Sequence, residues 1–347
     1  MPVKKVKSRI SRENLDALLV IEKCDIVYLA GFYTPSVAML VTRKGPPVYF
    51  VDPMNRALVD KVLKGANLRI MTVSKSATRA VAEFIKDSRI KRLGYNGDVL
   101  SVSDHKKLTR LLPNVRMKSA PFVIREVRKI KTPDEVRVLR KAARDTVRIW
   151  REVKKRIKTG MTEREIAAMI DVKVRERGYE NSFPTIAAIG ENSAYPHAVP
   201  VGRRLKKDEH LLVDFGIKLN GYCSDLTRIW AGGRIMRKIG QLRKHVHTAH
   251  DRAIQRIKPG VNIGALVREA NIYFKNNNLG EYVCHGLGHG IGLDVHEAPF
   301  LRDGSREKLK EGMVITIEPG LYIPGLGGIR EEDMVLVTKK GCEVLTR

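Results

Sequence analysis

Five short segments after residue 180 set carboxylates and histidines among apolar residues, where an unpaired charge is costly. The first two are 210–216 (HLLVDFG) and 222–228 (YCSDLTR), joined across Asn220-Gly221. Asn-Gly is the strongest short signal for a two-residue type I′ hairpin turn. With those residues as the turn, Leu219 pairs with Tyr222 and Asp214 lies opposite Thr227. Side chains alternate along a strand, so Asp225 shares the face of Thr227 and Asp214, diagonally across the pair. Two acids on one face of an apolar hairpin repel one another, and a shared cation resolves that cost.

The third segment is His285-Gly286-Leu287-Gly288-His289-Gly290-Ile291-Gly292, followed by Val295-His296-Glu297. Its glycines let the backbone approach a ligand or turn tightly. Three of the nine histidines fall within this stretch, a concentration that points to a site. The fourth, 313–320 (MVITIEPG), is a strand with Glu318 at its end beside a Pro-Gly turn. The fifth, 327–333 (GGIREED), leads into an apolar strand, and alternation puts Arg330 and Glu332 on one face and Glu331 and Asp333 on the other. Singly each residue has an ordinary structural explanation. Jointly and in this order they point to a metal centre.

Residues 15–120 read as an α/β unit, with apolar runs at 17–20, 37–41, 48–51 and 68–73 and a helical stretch at 79–85. Nothing there gathers metal-ligating residue types, so a structural or oligomerising role is expected. A domain boundary is expected at Ser119-Ala120-Pro121, dividing 1–120 from 121–347. Thr132-Pro133-Asp134-Glu135 then predicts a helix start, with Thr as cap, Pro at the first position and Glu at the third. The Val136, Leu139, Ala143 spacing carries that helix towards Ile149. A weak internal repeat follows. Ile157-Lys158-Thr159-Gly160-Met161 and Ile257-Lys258-Pro259-Gly260-Val261 each precede a polar cap, Thr162 or Asn262, and an apolar helix. Gly160 and Gly260 suit helix-ending left-handed positions. The repeat predicts two related halves around a central site.

Composition bounds the rest. A 43% hydrophobic and 30% charged chain of 347 residues is globular rather than disordered. No apolar run approaches the roughly 18 residues that span a bilayer, and no apolar segment of a secretory signal follows the N-terminus. Cys24, Cys223, Cys284 and Cys342 form no CxxC pair, which fits a reducing, cytoplasmic setting and no Cys-based zinc site. The formal net charge of +27 raises the question of nucleic acid. The excess is denser in the first third but scattered, aromatics are 6%, and no finger, basic-zipper or RNA-recognition pattern accompanies it. A solvated basic surface is the favoured reading, with a polyanion-binding side role left open.

The five segments resemble those of the pita-bread metallopeptidases, the family of Xaa-Pro dipeptidase (prolidase), aminopeptidase P, methionine aminopeptidase and creatinase. The resemblance extends over essentially the whole chain. It implies an α+β architecture: a C-terminal pita-bread domain with a pseudo-two-fold repeat, preceded by a smaller creatinase-type α/β domain. It implies two divalent metal ions, with Asp225 and Glu332 bridging them, Asp214 on one, and His289 and Glu318 on the other. Four carboxylates and one imidazole are a hard, oxygen-rich set that suits Mn²⁺ or Co²⁺. His197, His285 and His296 resemble the family's substrate-side histidines. Arg330 would orient Glu332 or contact substrate, and Glu318 would accept a proton from the attacking water. Glu331 departs from the pattern, standing where an aliphatic residue usually separates Arg from the ligand Glu.

The histidine set and the N-terminal domain are similar to the proline-specific branch. Hydrolysis of the bond between an N-terminal residue and a following proline is therefore expected, on dipeptides or short peptides. Arg302 or Arg330 would serve a dipeptidase as the cation for a free proline carboxylate. The alternatives are an aminopeptidase P acting on longer peptides, or a non-enzymatic relative binding a polyanion or protein. The resemblance further implies a homodimer, with no membrane partner and no call for nucleic acid in the main function.

Overall fold

Apolar runs and capping side chains in the first third combine into a layered α/β unit. The computed structural model describes residues 2–35, 37–73, 76–233 and 236–347. The chain divides into two compact units, Met1–Arg128 and Lys129–Arg347.

In the first unit, strands Ala17–Val20 and Val48–Val51 are buried at every position, which is why they read as unbroken apolar runs. The other expected runs become Ala38–Thr42 and Arg69–Thr72, and the expected helix lies within Ala77–Lys86. One mixed sheet holds the strands in the order Arg69–Thr72, Val48–Val51, Ala38–Thr42, Ala17–Val20, Arg92–Tyr95, Arg116–Ser119. Its two edges carry exposed residues, among them Arg69, Arg116 and Lys118, which discourage edge-to-edge pairing. Asp52, Ser76 and Ser101 each cap a helix by accepting from a backbone N–H three residues on. The expected change near 120 precedes the division by one short helix. Phe122–Arg128 packs on Pro2–Arg12, and its Arg128 makes a buried 2.9 Å ion pair with Asp25.

The second unit opens with the capped helix that Thr132-Pro133-Asp134-Glu135 predicts. Both hydrogen bonds of the capping box form, and the helix runs Pro133–Lys154, a turn beyond Ile149. The repeat is structural as well as sequential. Gly160 and Gly260 have φ of +90° and +89°, and each N–H donates to a leucine carbonyl, Leu205 or Leu309, at 2.8 Å. Both lie in turns before the next helix rather than at the end of the preceding one, which closes at Lys154 or Arg256. Thr162 and Asn262 cap Glu163–Glu176 and Ile263–Asn276, each 14 residues long.

Strand alternation then sorts the side chains. In the sheet Leu226–Ala231, His210–Phe215, Ile186–Ile189, residues Leu211, Val213 and Phe215 pack with helix residues Ile149, Ile166 and Ile170. In the second half, Ile315, Ile317, Val335 and Val337 pack with Ile263 and Val267. The opposite faces of these strands carry Asp214, Thr227 and Thr316. No described helix is long and apolar enough to cross a membrane.

Candidate metal centre and substrate cavity

The Asn220-Gly221 turn has φ of +50° and +84°, the doubly positive pair of a type I′ turn. It sets the pairing Leu219 with Tyr222 and, across a local break, Asp214 with Thr227. Asp214 and Asp225 thereby line one cavity of about 670 Å³. Strand Gly288–Gly290 brings in His289, and it can lie this close to its neighbour because a Cβ at Gly288 would sit 2.0 Å from the Thr316 carbonyl oxygen. Glu318 follows strand Val314–Ile317, while Arg330 ends Gly327–Arg330 and Glu332 immediately precedes Asp333–Val337. All five acidic and imidazole candidates line this cavity, as do Arg330, His197, His285 and His296.

Three ligand atoms, one each from Asp225, His289 and Glu332, lie within 4.8 Å of one another. His289 Nδ1–H donates to the Gly290 carbonyl at 3.1 Å, which leaves the Nε2 lone pair facing Glu318 Oε1 at 3.3 Å and Asp225 Oδ2 at 3.7 Å. Asp214 Oδ1, Asp225 Oδ1 and Glu332 Oε1 are buried and have no hydrogen-bond partner. A buried carboxylate oxygen without a donor is rare and costly. Two of them, from Asp225 and Glu332, cluster with the His289 imidazole and the third, from Asp214, lines the same cavity, an oxygen-rich donor set that fits a hard cation.

The electrostatics agree. Burial, then Glu332, Asp214 and Glu318, push the Asp225 carboxyl well above the usual range. Burial and the neighbouring Glu318 and Asp214 do the same to Glu332. Glu318 rises to about 7, through burial and Asp214, with Arg330 opposing. Burial lowers His289 to about 3 and His285 to about 4, so both rings are neutral at ordinary pH. Burial and His197 also lower His296. Without cations, therefore, the centre resists holding its charges.

Arg330 lines the cavity and is held by three neighbours. Its Nη2 donates to Asp214 Oδ2 at 2.6 Å, its Nη1 to Tyr322 Oη at 2.7 Å, and its Nε to Thr227 Oγ1 at 3.0 Å. Thr227 Oγ1–H in turn donates to Glu332 Oε2 at 2.8 Å. The guanidinium thus holds Asp214 directly and Glu332 only through a hydroxyl. Glu331 points away, as alternation requires, and accepts from His247 Nδ1 at 3.0 Å.

Two contributors escaped the sequence reading. Tyr322 accepts from Arg330 and donates to His285 Nε2 at 2.8 Å, because His285 Nδ1–H is committed to the Gly286 carbonyl at 2.7 Å. Its signal was its place two residues past Gly320, on a strand paired with the Arg330 strand. Arg228 binds the Glu332 carbonyl at 2.5 Å and Asp333 Oδ1 at 2.6 Å. Burial would raise Asp333, but His250, Arg228 and Thr346 hold it at about 2.

The cavity wall is apolar, with Phe183, Pro184, Ile186 and Val199, and Arg302 also lines it. The Arg302 guanidinium lies 4.9 Å from the centroid of the Phe300 ring.

Comparison with known proteins places these features in context. The model of metallopeptidase family M24 matches residues 137–339, and that of the creatinase/prolidase N-terminal domain matches residues 2–130. Among solved structures, the chain is similar to an Xaa-Pro dipeptidase from Bacillus anthracis, at 29% identity and a TM-score of 0.94, covering 100% of this chain and 97% of the other. It is similar to a prolidase from Pyrococcus horikoshii OT3, at 31% identity and 0.91, covering 100% and 98%. It is also similar to an X-Pro aminopeptidase from Thermotoga maritima MSB8, at 28% identity and 0.87, covering 98% and 97%.

Proposed function

This chain belongs to metallopeptidase family M24, with a pita-bread C-terminal unit and a creatinase-type N-terminal unit, and from that premise we propose that it is a dinuclear-metal exopeptidase hydrolysing Xaa-Pro bonds in dipeptides. The observation that carries the reading is the cluster of Asp225, Glu332 and His289 in a walled cavity that Asp214 also lines, with one orphaned oxygen on each of the three aspartate and glutamate side chains. Asp225 and Glu332 would bridge two divalent ions, Asp214 would hold one, and His289 and Glu318 the other. The oxygen-rich set favours Mn²⁺ or Co²⁺. When bound, such ions supply Lewis-acid polarisation of a carbonyl and lower the pKa of a water.

The chain's own residues do the rest. Glu318, which lines the cavity beside His289, would accept a proton from the attacking water. His197 and His296, both exposed and lining the cavity, would donate to the developing oxyanion and to the leaving secondary amine of proline. Arg330, held by Tyr322, keeps Asp214 oriented. The apolar wall excludes water and suits the pyrrolidine ring, whose tertiary amide has no N–H to satisfy.

Arg302 supports the dipeptidase over the aminopeptidase P reading. Its guanidinium, propped on Phe300, gives the cavity a cation outside the metal ligands that suits a free proline carboxylate. The similarity to the Thermotoga enzyme keeps cleavage of longer peptides as the second reading. Hydrolysis of Xaa-Pro dipeptides beside Xaa-Pro-Xaa tripeptides, with Mn²⁺ or Co²⁺ restored to metal-stripped protein, tests both. Cleavage of dipeptides alone is expected. Tripeptide cleavage at the same bond makes the enzyme an aminopeptidase, and no cleavage of either by folded, metal-loaded protein overturns the proline-specific reading. The cysteines, none disulfide-bonded, support a reducing, cytoplasmic setting, and a homodimer is proposed from the family.

A further inference from the structure

A single row of cations runs the length of helix Pro133–Lys154 and on to its cap. Arg137, Lys141, Arg144, Arg148, Arg151 and Lys155 follow one another at alternating steps of four and three residues. That period keeps side chains on one face of a helix. All six are exposed, whereas Leu139, Ala143 and Trp150 on the same helix are buried. At 1.5 Å per residue the row covers ~27 Å.

Carboxylates neutralise part of it. Asp134 pairs with Arg137 at 2.6 Å, and Asp145 is shared between Lys141 at 2.6 Å and Arg148 at 3.1 Å. Among the described residues, Arg144, Arg151 and Lys155 have no acidic partner. The first part of the row lines a shallow depression of about 450 Å³. Like charges three and four residues apart destabilise a helix, a cost that a polyanion laid along the row would reverse. None of these side chains lines the substrate cavity, so the row is independent of the peptidase site.

We propose that this face binds the sugar–phosphate backbone of a single-stranded nucleic acid without regard to sequence. Arg140 flanks the row in the same depression but is paired with Glu343, its Nε at 2.9 Å from Oε1, so the remaining cations form one line, which matches one phosphate strand rather than the two strands flanking a duplex groove. Four of the six cations are arginines, whose planar guanidinium pairs bidentately with phosphate oxygens. The aromatic ring beside the row, Tyr179, is held by Lys141 and Asp145, so the row offers chiefly phosphate contacts, and weak, salt-sensitive binding follows.

The test is fluorescence anisotropy of a labelled single strand of about 20 nucleotides, titrated with the metal-loaded full chain across a salt series. Binding in low salt is expected, falling steeply as salt rises. The triple variant Arg137→Glu, Arg144→Glu, Arg151→Glu should weaken it by at least about tenfold and flatten the salt slope by about 2, at ~0.7 per lost phosphate contact. The triple variant Lys244→Glu, Lys308→Glu, Lys310→Glu has the same net charge and should bind as the parent does. Circular dichroism melting should show both variants folded. The proposal is overturned by absence of binding in low salt or by equal loss in the two triple variants. Tighter binding to duplex, polyglutamate or anionic vesicles than to the single strand also overturns it.

Discussion

At the scale of single residues, the centre is a set of charges that the protein alone does not compensate. Asp225 and Glu332 are fully enclosed, each with an oxygen lacking any donor, and Glu318 is lifted to about 7. This gives the metal-free protein a characteristic pH dependence. A carboxyl whose folded pKa lies above its unfolded value binds more protons when folded, so it destabilises as pH rises through the folded value. The buried histidines have the opposite sign, but their window closes near their unfolded pKa of ~6.5. Between about pH 6.5 and 8 the carboxylates alone remain, and metal-free protein should lose stability as pH rises. Cations bind only the deprotonated carboxylates, so added Mn²⁺ should raise stability and reverse that slope. Urea midpoints measured across this range with chelator and with Mn²⁺ check it; a chelated protein that gains stability with pH contradicts the description.

At the scale of elements, the hairpin around Asn220-Gly221 is the part whose register matters most. A slip of one residue would turn Asp214 and Thr227 to the helix-covered face and Val213 and Arg228 to the cavity. Gly221 sits at φ +84°, where a side chain costs about 1–2 kcal/mol. Gly221→Val should therefore lower stability by about that amount. It should also reduce metal content, because the turn and the ligand pair share one register. Equilibrium unfolding with metal analysis of the dialysed protein measures both, and unchanged metal content would separate turn from ligands. The motifs in this hairpin were legible in sequence because they are local: a two-residue turn and a period of two dictate which side chains share a face. The left-handed glycines Gly160 and Gly260 were legible as conformations but not as places. Whether such a residue ends one helix or precedes the next depends on the neighbouring chain that its N–H meets, here Leu205 and Leu309.

At the scale of the whole molecule, the second unit is tied across long sequence distances by buried ion pairs. Lys131, just inside it, is 1% exposed at its side chain and donates to Glu297 Oε1 at 2.8 Å. Glu297 pairs with the His289 strand at Gly290, so this pair joins the start of the unit to the metal centre. Removing one partner of a buried pair costs about 3–5 kcal/mol, since the other charge stays buried. Glu297→Gln, which leaves Lys131 buried and charged, should lower stability by about that amount, and adding Lys131→Met should recover part of it. A double-mutant cycle of unfolding free energies reads the coupling, and additive losses would show that the pair contributes nothing of its own. The net charge also acquires structure at this scale. A scattered excess in sequence becomes, on helix Pro133–Lys154, one exposed row. Its alternating spacing was present in the sequence, but only burial shows which side of the helix faces solvent.

The sequence by itself determined the residue types, the turn, the caps and the order of the five segments, because each depends on neighbours within a few positions. It thereby singled out Asp214, Asp225, His289, Glu318 and Glu332, in or beside strands, and all five line one cavity. The tertiary structure alone decided that Arg330 grips Asp214 rather than Glu332, and that Tyr322 links Arg330 to His285. It alone left three carboxylate oxygens without a donor. The physical reason is that hydrogen bonding and desolvation are pairwise and environmental. Arg330 and Asp214 are 116 residues apart in sequence, and no local pattern records which oxygen a distant guanidinium will reach or which one burial will strand.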